Sequence, residues 1–396
     1  MWIQRQICSS LERCARQFPV LLLTGARQVG KTSLLRQMFP AHGYATLDVP
    51  EAAALAEQSP AVFLAGCPPP VIIDEVQYSP GILRHLKVAV DQDRHAMGQY
   101  LLTGSQKLAL MQGVSESLAG RVAVFDLEGV SGSELLAAER LKRHPASVVP
   151  WITRGSFPEL WRQSDLDRNR FLSSYLVTYL ERDLRQVIQV GKLREFERFM
   201  RLLATRTGQL LNKSDLARDV GISVPTVEQW LSALEATNQV VLLSPYFRNV
   251  GKRVIKAPKV YFCDTGFAAF LLGIDEGTLE TSPFFGALLE SLVFGELRKS
   301  LAVAGSASTV WFYRDQRNRE VDFVLQTGAG VALIEVKAAQ YPNAHDTQSM
   351  HAVAALLESE GERVASRTVV CRTDTSYPLD ERTMALSVFD VREMVA

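Results

Sequence analysis

The chain lacks several features that would have narrowed its class at once. Its five cysteines, at positions 8, 14, 67, 263 and 371, form no C-x-x-C pair. Neither a zinc ribbon nor a disulfide framework is therefore expected. Its six histidines form no H-E-x-x-H motif. No apolar run approaches the roughly 20 residues that a helix needs to cross a bilayer. Arg5, Arg13 and Arg16 lie near the N-terminus without the apolar stretch of a signal peptide, so none is expected. Lys plus Arg and Asp plus Glu both number 43. Net charge thus gives no support for a polyanionic partner, and any basic surface must be local. A reducing cytoplasmic setting, with no membrane contact, is the expectation.

What the chain does have is apolar material. At 396 residues and 47% hydrophobic, it has length for roughly two to three domains, each with a full core.

The stretch Gly25-Ala26-Arg27-Gln28-Val29-Gly30-Lys31-Thr32 fits G-x-x-x-x-G-K-S/T, a phosphate loop. Val20 to Thr24 before it reads as a strand. Ser33 to Met38 after it reads as a helix with Leu34 and Leu35 inward. In such a strand–loop–helix turn, backbone N–H groups converge on phosphate oxygens with the helix dipole behind them. Gly25 through Ser33 are the candidate nucleotide-binding residues, Lys31 for the β- and γ-phosphates and Thr32 for Mg²⁺. A leading helix is expected from the spacing of Ile3, Ile7, Leu11 and Ala15. Tyr44 to Leu47 reads as a second strand.

Pro68-Pro69-Pro70 is a hard break before Val71-Ile72-Ile73-Asp74-Glu75. A continuous β-branched run ending in acids reads as a buried parallel strand with its ligand beyond the C-terminal end. Asp74 is the candidate Mg²⁺ ligand and Glu75 the candidate base for an attacking water. A further strand over Gln99 to Thr103 is followed by Gly104-Ser105-Gln106. Ser105, with Thr103 as the other choice, is the candidate γ-phosphate sensor. Arg121 follows Ser117-Leu118-Ala119-Gly120 at the end of a helix and before a strand over Val122 to Leu127. It reads either as a finger reaching a neighbouring subunit's γ-phosphate or as an ordinary dipole partner.

These elements fill about residues 1–140. Residues 141–205 read as a helical lid or linker, with a turn at Gly155-Ser156-Phe157-Pro158-Glu159. Residues 206–280 contain two short amphipathic helices around Gly221. Ser223 caps the second, whose buried face is Val227, Trp230, Leu231 and Leu234. Arg248, Lys252, Arg253, Lys256 and Lys259 follow without an acid among them. A winged helix with a basic hairpin suits DNA phosphates, because each neutralised charge adds salt-dependent affinity. The same fold used only for packing stays open.

In residues 281–396, Glu290 lies on a helix marked by Phe284, Leu288, Leu292 and Leu297. Glu320 and Asp322 share one strand face, and Glu335 and Lys337 share one face of the returning strand. Asp322, Glu335 and Lys337 with Glu290 fit a PD-(D/E)XK nuclease core. Carboxylates hold Mg²⁺ or Mn²⁺ by oxygen, and Lys337 orients a water or stabilises phosphoryl charge. A nuclease-like scaffold with Glu335 and Lys337 merely paired is the other reading.

Taken together, the loop Gly25 to Thr32, Val71 to Glu75, Leu102 to Ser105, Leu118 to Arg121, Gly155 with Phe157-Pro158-Glu159, Tyr179 with Glu181-Arg182-Asp183, Lys256 to Gly266, Glu320 to Phe323 and Ile334 to Lys337 resemble a widespread group of prokaryotic AAA+ ATPases. The resemblance covers nearly the whole chain. It implies an α/β fold: a P-loop AAA+ domain with a parallel sheet, a helical and winged-helix middle, and a C-terminal restriction-endonuclease-like domain of unknown function. It further implies ATP binding and hydrolysis and a homo-oligomer, a hexameric ring being one form. The expectation is an Mg²⁺-dependent ATPase acting on DNA. The alternative is an ATP-controlled switch with a non-catalytic C-terminal scaffold.

Overall fold

The computed structural model describes residues 2–105, 117–182, 193–246, 256–306 and 308–395. Gln106, Asp183, Arg248, Lys252 and Arg253 lie outside the described residues, as do the side chains of Tyr179, Glu181 and Arg182. The chain divides into two compact units. One comprises Gln4–Val130 with Ala236–Asn238; the other comprises Met1–Ile3, Ser131–Glu235 and Gln239–Ala396.

The first unit is built on strands β1 (Val20–Thr24), β2 (Gly43–Thr46), β3 (Val71–Asp74), β4 (Tyr100–Gly104) and β5 (Val122–Asp126), in the spatial order β2-β3-β4-β1-β5. All neighbours pair parallel. β1, β3 and β4 are buried along their whole length, which is why they read as unbroken apolar runs rather than alternating ones. Leu22, Ile73 and Leu102 pack with Leu83, Leu86 and Val90 of the helix Ile82–Gln92. Each such side chain contributes about 1.5–3 kcal/mol on burial. The leading helix is shorter than its apolar spacing suggests. It spans Cys8–Ala15, with Ile7 at its N-cap and Ile3 ahead of it. The preceding segment is held instead by Arg5, whose side chain bonds three backbone carbonyls.

The second unit begins with a helical stretch that includes Val148–Arg154, Pro158–Arg162 and Arg168–Arg182. Helices Lys213–Val220 and Val224–Ala236 meet at Gly221. Ser223 receives the Thr226 N–H at 3.3 Å, and Val227, Trp230, Leu231 and Leu234 are buried, as the spacing requires. β6 (Gln209–Leu210), β7 (Val240–Leu243) and β8 (Lys259–Phe262) form an antiparallel sheet with β8 in the centre. The segments around Gly155 and Gly266 lie against each other. A Cβ on Gly155, at φ +70°, would fall 2.3 Å from Asp264 Oδ1 and 2.7 Å from the Gly266 nitrogen. Only glycine fits there.

The same unit carries the helix Phe285–Ala304 and a six-stranded sheet. Its strands are β9 (Val310–Arg314), β10 (Glu320–Thr327), β11 (Gly330–Val336), β12 (Val364–Cys371), β13 (Tyr377–Asp380) and β14 (Thr383–Ser387), in the order β13-β14-β12-β11-β10-β9. β9, β10 and β11 pair antiparallel, while β11, β12 and β14 run parallel. Met350, Val353, Ala354 and Leu357 of helix Gln348–Ser359 cover Val321, Val324, Leu333 and Val369. Phe323 stacks on Phe294 of the long helix at 5.6 Å. Among the described residues, no helix is long and apolar enough to cross a membrane.

Candidate nucleotide site and acidic cluster

β1 delivers the chain to the glycine loop, and the helix Lys31–Met38 leaves it. Gly25 has φ +144°, and a Cβ there would lie 2.2 Å from the Leu127 carbonyl oxygen. The Lys31 ammonium folds back to donate to the carbonyls of Gly25 and Ala26, at 2.9 and 2.8 Å. Arg5 braces the loop from behind, donating to Val29 O at 3.1 Å and to Glu128 O and Gly129 O at 2.7 and 3.0 Å.

Because β4 lies between β1 and β3, the polar ends of all three strands converge. The Thr32 hydroxyl donates to Asp74 Oδ1 at 2.6 Å. The Thr103 hydroxyl donates to the same oxygen, and the Tyr44 hydroxyl reaches Asp74 Oδ2 at 3.1 Å. Burial, then the charge of Asp74, raises the Tyr44 pKa. A hydroxyl and a carboxylate in contact are hard oxygen donors. They fit Mg²⁺, which takes one or two protein oxygens and completes its shell with phosphate and water.

Glu75 stands at the tip of β3 in the left-handed region, φ 59° and ψ 47°, a conformation that costs a residue with a side chain about 1–3 kcal/mol. Its backbone N–H donates to the Thr103 hydroxyl at 3.1 Å. Its carboxylate accepts from the Gln77 amide and from the Ser105 hydroxyl, the latter at 3.4 Å. Gln77 also donates to Ser105 Oγ at 3.1 Å and receives the Ser105 N–H at 3.3 Å. Glu75, Gln77 and Ser105 thus form a closed loop of hydrogen bonds beside Asp74.

Arg121 is pinned within its own chain. Its guanidinium donates to both Asp91 oxygens, at 2.7 and 3.1 Å, and to Ala119 O at 3.1 Å. Its hydrogen bond lowers the Asp91 pKa.

In the second unit, the four carboxylates read from the sequence come together with a lysine. Lys259 of β8 is 2% exposed. Its ammonium lies 3.0 Å from Glu290 Oε1, 2.6 Å from Glu320 Oε1 and 3.6 Å from Asp322 Oδ1. Burial disfavours its charge, but Glu290, Asp322 and Glu320 outweigh burial and raise its pKa. The Tyr261 hydroxyl also donates to Glu290. Asp322 Oδ2 accepts the Val336 N–H at 2.8 Å. Glu335 Oε1 pairs with Lys337 at 2.9 Å, while its Oε2 is buried with no hydrogen-bond partner. Burial, then the Asp322 charge, pushes Glu335 up to about 8. Glu290 is raised to about 7, by burial first and Asp322 second. A buried carboxylate oxygen without a donor fits a hard cation. Among the described residues, however, no three His, Cys, Asp or Glu side chains are grouped to hold a metal ion.

Residues 17–136 match the model of an AAA domain. Residues 147–278 and 285–390 match two domains of unknown function, DUF8612 and DUF4143. The uncharacterized protein Rv2008c of Mycobacterium tuberculosis is 32% identical over 390 residues, covering 97% of this chain and 83% of its own length. The chain belongs to the family of that protein. The uncharacterized protein Mb2031c of Mycobacterium bovis gives the same figures. Among solved structures, the Walker-type ATPase PABY2304 of Pyrococcus abyssi is similar at 18% identity and a TM-score of 0.46, over 68% of this chain and 96% of that one.

The first unit therefore carries a P-loop AAA-type ATPase-like domain. Lys31, Thr32, Asp74, Glu75 and Ser105 meet at one end of its sheet, and Arg121 lies apart from them against Asp91. Sequence reasoning missed Gln77 and Arg5. Gln77 had a signal, two positions past an acidic strand tip; Arg5 had none, because its partners are backbone carbonyls far along the chain. One expectation is corrected. Lys259 is not part of a basic hairpin facing phosphates, because it is buried among carboxylates. Of the other four hairpin cations, Lys256 is exposed, and Arg248, Lys252 and Arg253 lie outside the described residues.

Proposed function

We propose that this protein binds ATP with Mg²⁺ and hydrolyses it, using the turnover to act on DNA. The contact of Thr32 and Asp74, beside the Glu75–Gln77–Ser105 loop, is the observation that carries the reading. Bound Mg²⁺ would supply charge neutralisation across the β- and γ-phosphates. Lys31 would leave its loop carbonyls for the phosphates. Thr32 and Asp74 would hold the metal. Glu75 would orient and deprotonate water, and Ser105 would register the γ-phosphate. Arg121 would act on a neighbouring subunit's nucleotide in a homo-oligomer.

The helices at Gly221 with β6, β7 and β8 support a winged helix as the DNA-holding part. The exposed face of its second helix carries Glu228, paired with Lys213 at 2.8 Å, so phosphate contact falls to Lys256 and its neighbours. Helix Phe285–Ala304 with β9 to β12 supports a nuclease-like fold, and Asp322, Glu335 and Glu290 would hold its metal beside Lys337. The second reading, a non-catalytic scaffold, is favoured by Lys259 standing among those acids.

Steady-state ATP turnover, with and without duplex or branched DNA, is the test. Turnover lost on Glu75→Gln with ATP still bound supports the ATPase reading. No turnover in the parent favours a nucleotide-controlled switch. Nicking with Mg²⁺ or Mn²⁺ that survives Lys337→Ala would sink the C-terminal assignment.

A further inference from the structure

The acidic cluster holds a cation of its own. Lys259 reaches it from β8, the central strand of the three-stranded sheet, whereas its partners stand on the helix Phe285–Ala304 and on β10. Arg314 pairs with Glu320 at 2.9 Å and Lys337 with Glu335 at 2.9 Å. Counted as charges, those two pairs balance, so Lys259, although its shortest contact is Glu320 at 2.6 Å, is the one positive charge left against Glu290 and Asp322. Tyr261, two residues on and so on the same strand face, donates to Glu290 from the same side. The Lys259 side chain is packed against the Phe312 ring, with its ammonium 5.6 Å from the ring centre.

An ammonium buried without partners costs several kcal/mol, and so does a carboxylate. Each group here offsets part of that cost through the other. Remove the lysine charge and two carboxylates remain, which, ionised by a bound metal, are the complement of a divalent cation. We infer that Lys259 is a tethered counter-ion that closes the Glu290–Asp322 pocket to divalent metal, and that metal enters only when β8 withdraws its side chain. The inference rests on the acidic cluster being the site proposed above, but not on that site cutting DNA. It gives the middle of the chain a means of control over the C-terminal cluster: whatever displaces β8 exposes the carboxylates.

The test is Mn²⁺ binding to the full chain without nucleotide, followed by electron paramagnetic resonance of the free ion. The parent should show no site that depends on Asp322, so parent and Asp322→Asn should titrate alike. Lys259→Met should gain a site at least about tenfold tighter than any in the parent. Adding Asp322→Asn to Lys259→Met should abolish that gain. The inference is overturned if the parent binds Mn²⁺ at a site that Asp322→Asn weakens, or if folded Lys259→Met gains nothing. Circular dichroism establishes whether Lys259→Met folds. If it does not, the parent and Asp322→Asn titrations decide alone. A gain in Mn²⁺ binding with no DNA cleavage would uphold this inference and sink only the nuclease reading.

Discussion

Asp264 accepts hydrogen bonds from both the backbone N–H and the hydroxyl of Ser156, at 2.6 and 2.8 Å, across 108 positions of chain. Its other oxygen receives the Phe267 N–H at 2.7 Å and caps the helix Thr265–Leu271. The motifs around Gly155 and Gly266, which carry part of the family resemblance in the sequence, are thus two halves of one structural corner. Arg168 adds to it, donating to Thr153 O and Gly266 O at 2.5 and 3.1 Å.

Gly155→Ala should therefore destabilise the fold rather than a reaction. The added Cβ meets backbone and carboxylate, and φ +70° adds strain. A loss on the order of 2–4 kcal/mol is expected from clash and strain together. Chemical denaturation checks it. An unchanged midpoint would show that this corner yields freely.

Gln77→Ala should alter turnover more than ATP affinity. The amide bonds Glu75 and Ser105 but none of the loop residues Gly25 to Thr32 in the described hydrogen bonds. Freed from it, Glu75, the proposed base, loses its fixed orientation, and kcat should fall by up to about 100-fold, the lower end of what a positioned base contributes. Gln77→Glu, which adds charge beside Glu75, should lower kcat further. Equal losses in ATP binding and turnover would instead mark Gln77 as a nucleotide contact.

Arg5→Met should weaken ATP binding although Arg5 does not belong to the loop. Three carbonyls, one of them Val29 O, lose a charged donor, and hydrogen bonds to charged groups are worth about 1.5–3 kcal/mol each when buried. Loosening Val29 should raise the Kd for ATP by about tenfold. Arg5→Lys, with one compact charge in place of a fork, should recover only part of it. Fluorescent-nucleotide titration separates these outcomes. Unchanged affinity in a folded Arg5→Met would confine Arg5 to stability.

Arg121 and Asp91 yield a pair of opposed expectations. On the proposed role in a neighbouring subunit's site, Arg121→Ala should lower kcat at high protein concentration and leave ATP affinity unchanged. Asp91→Ala releases the guanidinium and should leave kcat unchanged or raise it, since a solvent-exposed pair contributes little to stability. Turnover measured across a dilution series reads both. Equal kcat in the parent and Arg121→Ala at every concentration would assign the arginine to Asp91 alone.

What was legible in the sequence is what is local. The phosphate loop is eight consecutive residues between a strand and a helix, and Asp74, Glu75 and Ser105 each follow an apolar run. Parallel strands end at one edge of a sheet, so such residues meet whatever the details of packing. The orientation of Gln77 was not legible, because it depends on Glu75 adopting a positive φ. Lys259 was misread for a clearer reason. Basic neighbours without acids in between look like a solvated hairpin, yet the acids that bury Lys259 come from a helix and a strand much later in the chain. Charge pattern along a sequence reports local partners only.

The seam between the two matched regions of unknown function falls between residues 278 and 285, but chemically the chain cannot be divided there. A polypeptide beginning at Phe285 would keep Glu290 and Asp322 and forfeit the ammonium that makes them tolerable indoors. Excised fragments of this half should misfold or scavenge cations from the buffer, and the sensible cut for dissecting the protein lies upstream, ahead of Ser131.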